Sequence, residues 1–418
     1  MLTPDYLLHV SEGAEEIAEQ LHQEIVNRII ERIMLRIGRG DKYILTAQDK
    51  WQLEVLQDAG YLLKDVQAEI EKKTKLQLSE IKAAMEDAGV RTLAYEDAIY
   101  RAVGLSPTPL AQSPYMVRLM QRNYEATAGT WKNFTRTIAE SSQQTFISAM
   151  DKAYNLTASG AVSYTQAVQE AVNEVASVGV IVHYPSGHKD TIEVATLRAV
   201  RTGISQATAE IQIARMKEMG VNLVLTSSHM GARPEHEKWQ GQIFSVDWSK
   251  INKIYPLPDV PTPEYDAGAK RKYPDFVEST KIGEVDGLCG ANCRHSFSVY
   301  FKGQENPFEK FDTAENRKAY DLSQKQRALE RRIRRTKREV MALKTSVDNA
   351  QDAKSKGVLE KNYERKSATL QKQNEEYNKF CEENGLRRLP DRIAIAKWDR
   401  KQAASAISAA ARYKPDSR

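Results

Sequence analysis

Ile17, Leu21, Ile25, Ile29, Ile33 and Ile37 recur at every fourth position. Residues three or four apart share one face of an α-helix, so this run specifies a long helix with a continuous apolar stripe. Ser11 stands where an N-cap belongs, with acidic residues in the turn behind it, and Gly38 and Gly40 supply the stop. A second periodic run follows Thr46, through Trp51, Val55, Ala59, Leu62 and Val66. Shorter periodic runs lead to Gly104–Pro114, where three prolines end any helix. From Tyr115 to Tyr154 the spacing is helical again, with small and polar residues around Trp131 and Phe134. Residues 1–159 thus read as an elongated N-terminal helical bundle with modest cores, and nothing in them has catalytic spacing.

Residues 160–303 have a different texture. Tyr164–Ser177 reads as an amphipathic helix and Thr191–Met219 as a long one ended by Gly220. Between them Val178–Tyr184 is a short β-type run followed by turn chemistry at Pro185–His188. Val221–Thr226, Gln242–Val246 and Phe297–Phe301 have strand length and β-branched or alternating character. Strands mixed with helices predict a small central α+β domain. Within it, residues 247–283 are rich in Pro, Tyr and Asp and read as an irregular insertion.

Residues 304–418 return to helix. Leu322, Leu329, Ile333, Val340, Leu343 and Val347 form one seam, and Leu359, Tyr363, Leu370, Tyr377 and Phe380 a second. A polar turn joins them, which predicts a C-terminal antiparallel helical hairpin or coiled coil, followed by a basic, Ala-rich tail. Gln326, Thr336, Lys366 and Gln373 interrupt the seams, so the hairpin needs a further surface to pack on. The fold class expected is mainly α with a small α+β centre. Composition agrees: of 418 residues 28% are charged and only 8% aromatic, which suits amphipathic helices better than a large β-rich core.

The opening residues lack a basic region followed by a long apolar run, and no stretch approaches the roughly 20 apolar residues that span a bilayer. No signal peptide and no membrane partner are expected. Three cysteines in a chain this long do not make a disulfide scaffold, which favours a reduced compartment. A formal charge of +5 is mild and does not by itself announce a nucleic-acid binder.

Two clusters concentrate the chemistry. SSHMGARPEHEKWQG follows the Val221–Thr226 strand, and GLCGANCRHSF precedes the last one. They hold His229, His236, Cys289, Cys293 and His295, the ligand types of a structural zinc site, of which any four would complete a tetrahedron. Cys289 and Cys293 have knuckle-like spacing, whereas His229 and His236 need a bent loop to meet. The bland alternative makes the cysteines small buried hydrophobes and the histidines hydrogen-bonded loop residues. Trp239 reads as a core anchor. No complete set of nucleophile, base and orienter is visible, and there is no P-loop, dinucleotide fingerprint or HExxH, so no catalytic residue and no small-molecule substrate are expected. A basic run lies on the first helix of the hairpin, with Arg331, Arg332, Arg334, Arg335 and Lys337 as candidate contacts to nucleic acid or to an acidic partner. Most of these charges also have acids to pair with on the neighbouring helix, at Glu360, Glu364, Glu375 and Glu376.

The two clusters resemble the phage minor capsid protein 2 family, which looks related to the head-morphogenesis domain of the phage Mu F protein. The matching residues are Arg233, Pro234, His236, Trp239, Gly241, Cys289, Asn292, Cys293, Arg294 and His295. The opening helices and YDLSQKQRALERRIRRTKRE also look like the family. The resemblance implies a low-copy minor head protein of phages of Gram-positive bacteria, encoded near the portal protein. It implies a place in the virion, at the portal vertex or capsid interior, with portal and capsid proteins as partners and packaged double-stranded DNA nearby. Some of the wider group carry a C-terminal toxin domain, and no such domain is read here. Two rival readings are a metal-dependent nuclease, hydrolase or delivered effector using His236, Cys293 and His295, and a DNA-binding packaging factor using the basic run.

Overall fold

The helical spacing becomes helix, and the glycines and prolines between runs become helix ends. A computed structural model describes residues 1–37, 48–257, 263 and 272–414. It is 71% helical, with small antiparallel sheets of two and three strands. The first stretch holds α1 (Pro4–His9), α2 (Glu12–Ile37), α3 (Gln48–Ala102) and α4 (Pro114–Ala158). Next come α5 (Tyr164–Val178), β1 (Ile181–His183), β2 (Lys189–Thr191), α6 (Ile192–Glu218) and β3 (Leu223–Thr226). Then follow α7 (Pro234–Glu237), β4 (Ile243–Ser245), α8 (Trp248–Ile254), α9 (Phe276–Thr280) and β5 (Phe297–Val299). The last are α10 (Thr313–Asn349), α11 (Ala353–Glu383), α12 (Pro390–Ile393) and α13 (Arg400–Arg412). The Gly38 and Gly40 stop and half of the 247–283 insertion beyond Leu257 lie outside the described residues, and the part described is not wholly irregular, since it holds α8 and α9.

Two compact units emerge, and each is assembled from three separated stretches. One comprises residues 1–15, 77–132 and 196–323, the other 16–76, 133–195 and 324–418. The chain passes between them inside α2, α3, α4, α6 and α10 rather than through linkers. The stretches 1–159, 160–303 and 304–418, set apart by texture, therefore each contribute to both units.

The second unit is helical apart from the β1–β2 ribbon. Leu21, Ile25, Ile29, Ile33 and Ile37 of α2 are buried, as are Trp51, Val55, Ala59, Leu62 and Val66 of α3. Each such side chain contributes about 1.5–3 kcal/mol by leaving water. Ion pairs Arg28–Glu69, Arg32–Asp65 and Arg36–Asp58 run in opposite directions along the two helices, so α2 and this half of α3 pair antiparallel. Pairs Gln326–Tyr377, Arg332–Glu376 and Lys366–Glu339 show the same for α10 and α11. The hairpin finds its further surface within the unit. Helix α11 packs on α13, where Ala406, Ala409 and Ala410 are buried, and on α5, where Asn173 accepts from Asn362. Gln326, an interruption of the seam, is satisfied by the Arg387 carbonyl at 2.9 Å.

The first unit is the α+β part. Its sheet has the order β4-β3-β5, with β3 central and both neighbours antiparallel. Val224 pairs with Phe244 on one side and Val299 on the other, and these face a core with Trp239, Phe276 and Phe297. Leu223 and Leu225 point the opposite way, onto Tyr300, Ile243 and Phe308. All four β3 residues are buried, as a strand covered on both faces requires. Glu96 of α3 ties β5 to α6, accepting from the Val299 N–H and from Gln212 Nε2, each at 3.1 Å. Burial raises its carboxyl to about 7.

Candidate metal centre

Two loops at one end of the three-stranded sheet build the site. The first leaves β3 at Thr226 and returns to β4. Its closure is fixed by Thr226, whose hydroxyl donates to the Trp239 carbonyl at 2.8 Å, and by Gly241 in a left-handed conformation (φ 64°). Between them Pro234 opens the one-turn α7 and sets His236 facing inward. The second loop precedes β5, which is pinned to the first by reciprocal Ser227–Ser296 hydrogen bonds of 2.9 Å. Cys289 and Asn292 both have positive φ here, at 61° and 57°. Gly290 can be nothing larger, since a Cβ would lie 2.4 Å from the Val285 carbonyl oxygen.

These loops bring His236, Cys293 and His295 together, and all three are 1–2% exposed. His236 Nδ1 lies 3.4 Å from His295 Nδ1, and Cys293 Sγ lies 3.8 Å from each. The protons can be placed. His236 Nε2 is 2.8 Å from the Asp286 carbonyl, which only accepts, so Nε2 carries the hydrogen. Gln240 Oε1 accepts from the His229 backbone N–H, so the His295 Nε2 beside it at 3.1 Å must also donate. Both imidazoles therefore turn bare Nδ1 lone pairs toward each other and toward the Cys293 sulfur. Burial lowers the pKa of His236 and, more strongly, of His295, so neither readily takes a second proton to relieve the contact. Burial raises the Cys293 thiol, opposed by the N–H groups of His295 and Cys289. Two bare Nδ1 lone pairs and a sulfur with a single proton to share between them fit a cation, which would take that proton's place.

The other two candidate ligands stand apart from this group. His229 stacks on His295, with ring centroids 4.3 Å apart and planes 25° from parallel. The Cys289 sulfur is 4.0 Å from the His295 carbonyl, in the apolar core that also holds Tyr255. Trp239 is the anchor its position suggested, with its ring 4.7 Å from that of His236 and 4.8 Å from that of His295. Sequence reasoning passed over Gln240 and Asn316. Buried Asn316 accepts from the Gly231 and Ala232 N–H groups at 2.8 and 3.0 Å and so holds the first loop. An i+4 offset from His236 places Gln240 beside the site, but only the folded loop shows what it binds.

The family comparison covers both units. The family model for phage minor capsid protein 2 matches residues 2–380. The chain belongs to that family. It is a structural protein of the phage head. No curated protein and no solved structure matches the chain. Membership of a structural capsid family points away from an enzyme and toward a place in the virion among other phage head proteins. Among the described residues, no helix is long and apolar enough to cross a membrane.

In this minor capsid protein the basic run is largely engaged within its own unit. Buried Lys337 donates to the Ile393 carbonyl and lies 5.5 Å over the Trp398 ring. Arg332 pairs with Glu376, and Arg335 with Glu339 at 3.4 Å. Arg331 is exposed, and Arg334 is half-buried.

Proposed function

We propose that this minor capsid protein sits at the portal vertex, on the inner side of the capsid, and docks on portal and capsid proteins through its amphipathic helices. The family match from residue 2 to 380 carries the head role, and the placement follows from what the resemblance implies. We also propose that a zinc ion fastens the β3–β4 loop to the turn before β5 through His236, Cys293 and His295. The triangle of 3.4, 3.8 and 3.8 Å supports it. Zinc with bonds of about 2.0–2.1 Å to nitrogen and about 2.3 Å to sulfur, at tetrahedral angles, needs edges of about 3.4 and about 3.6 Å. Cross-linking mass spectrometry on purified heads tests the placement. Cross-links to the portal are expected, with labelling of the protein only after the capsid is opened. Labelling on intact heads would overturn it.

Contact with packaged DNA through the basic run is expected to be weak. Lys337 is withdrawn, and Arg332 and Arg335 carry acidic partners. Each neutralised phosphate contributes roughly −0.9 to the slope of log K against log salt. Duplex binding by the purified chain should therefore show a slope of about −1 to −2. A slope of about −4 or steeper, lost on neutralising Arg331, Arg332, Arg334 and Arg335, would make DNA binding a main activity.

A further inference from the structure

We infer that the metal has three protein ligands, His236 Nδ1, His295 Nδ1 and Cys293 Sγ, and that its fourth position takes an exchangeable monodentate anion, or water in its absence. This rests on the metal reading above and adds the coordination number and the class of outside ligand.

The three donor atoms mark one face of a tetrahedron, so a fourth ligand must approach from the opposite side. Neither of the remaining candidates is placed to do so. A metal on His295 Nδ1 lies in the plane of the His295 ring. The His229 ring is stacked above that plane and nearly parallel to it, so its in-plane lone pairs run alongside the metal and not at it. Its Nδ1 is 3.1 Å from the Met230 carbonyl and 3.5 Å from Arg294 Nη2. Cys289 is held by its backbone. It has φ 61°, Leu288 N–H donates to the Thr280 carbonyl at 2.9 Å, and Gly290 is wedged against the Val285 and Glu284 carbonyls. Its sulfur rests against the His295 carbonyl at 4.0 Å and lies outside the converging group.

Nearby carboxylates are engaged as well. Asp286 turns its carboxylate to Lys281 at 3.4 Å, and Glu237 accepts from Asn316 at 3.3 Å. Among the described residues, the cluster of metal-ligating groups contains three members and no acid. Charge then selects the outside ligand. A divalent ion with one thiolate keeps a net positive charge. Arg233, whose guanidinium donates to the Ala291 carbonyl, and Arg294 add to it beside His295, opposed by Glu235 and Asp286 on the His236 side. A small anion is favoured there over a neutral ligand.

Cobalt substitution in the full-length protein tests this. Cobalt(II) should give a thiolate-to-metal charge-transfer band of single-thiolate intensity, abolished by Cys293→Ser and undiminished by Cys289→Ala. Azide titration should shift the ligand-field bands. X-ray absorption on the zinc-loaded wild type provides a check independent of any variant, with one sulfur at about 2.3 Å expected. Two sulfurs, or a halved band in Cys289→Ala, would overturn the inference by completing the site with Cys289. Ligand-field bands unmoved by azide would overturn it by showing a fixed fourth protein ligand. Both outcomes leave the metal reading standing. A wild-type protein that retains neither cobalt nor zinc removes that reading and this inference with it.

Discussion

Replacing Arg338 by methionine is expected to cost the second unit about 3–5 kcal/mol at pH 7. The Arg338 guanidinium donates to both Glu19 oxygens, at 2.8 and 2.5 Å, and lies 2.7 Å from Glu193 Oε1. Glu193 is fully buried and also meets His22 at 2.9 Å and the Thr191 hydroxyl. Burial alone would push its carboxyl up, yet Arg338 and His22 hold it well below the usual range. Methionine fills similar space but takes the arginine charge from both carboxylates and leaves Glu193 with His22 alone. The pH dependence follows from the sign of the shift. A depressed acid stabilises the fold above its unfolded value of 4.5, and that contribution is lost as pH falls. The variant has already lost it and can protonate the orphaned carboxyls. The gap between wild type and variant should therefore shrink toward pH 4. Urea unfolding at pH 7 and pH 4 measures both values. Adding Glu19→Gln and Glu193→Gln to the variant should recover most of the loss, because neutral groups need no counter-charge. A loss under about 1 kcal/mol at pH 7, or one that grows in acid, would show that Arg338 is not what holds these carboxylates.

Arg338 also shows where sequence reading stops. The basic run on a helix was legible, and so was an acidic partner on the adjoining helix, which Glu376 supplies to Arg332. The partners of Arg338 come from α2 and from the start of α6, far away in sequence. Helical period says which face is buried and not what buries it. The same holds for architecture. Spacing and punctuation placed α2, α4, α5, α6 and the α10–α11 hairpin within a few residues of where they lie, because Gly, Pro and capping residues act locally. Those cues carried no information that helices crossing from one unit to the other would interleave all three stretches. Helix α3 ran further than its separate runs suggested, since no proline or paired glycine interrupts it before Gly104.

At the site, ligand chemistry was legible and selection was not. Five Cys and His residues offered several combinations. Which of them meet is set by the backbone, through the left-handed Cys289 and Asn292, the wedged Gly290 and the short α7 that aims His236 inward. Likewise, the residues that fix the two imidazoles are the Gln240 amide and the Asp286 main-chain carbonyl. A main-chain group has no signature in the sequence.

Removing the metal is expected to lower the midpoint of the thermal transition that reports the first unit by roughly 5–10 °C. Zinc at a hundred times its dissociation constant stabilises the folded state by roughly 2.7 kcal/mol, and a transition of roughly 150–250 residues moves by about 2–4 °C per kcal/mol. The metal-free site explains the direction. Two bare Nδ1 atoms 3.4 Å apart repel, and one thiol proton on Cys293 satisfies only one of them. Chelation followed by zinc reloading, with melts after each step, gives the comparison. Cys293→Ala and His295→Ala should melt alike with and without zinc, while His229→Ala and Cys289→Ala should still respond. Gln240→Leu separates positioning from ligation. It keeps all three donor atoms but frees His295 Nε2 from its acceptor, so zinc affinity should fall about 10–100-fold while binding persists. Equal midpoints for stripped and reloaded wild type would leave the three lone pairs without a cation. The lone pairs would then have to be reconciled by a proton shared between the two histidines, against the burial that disfavours it.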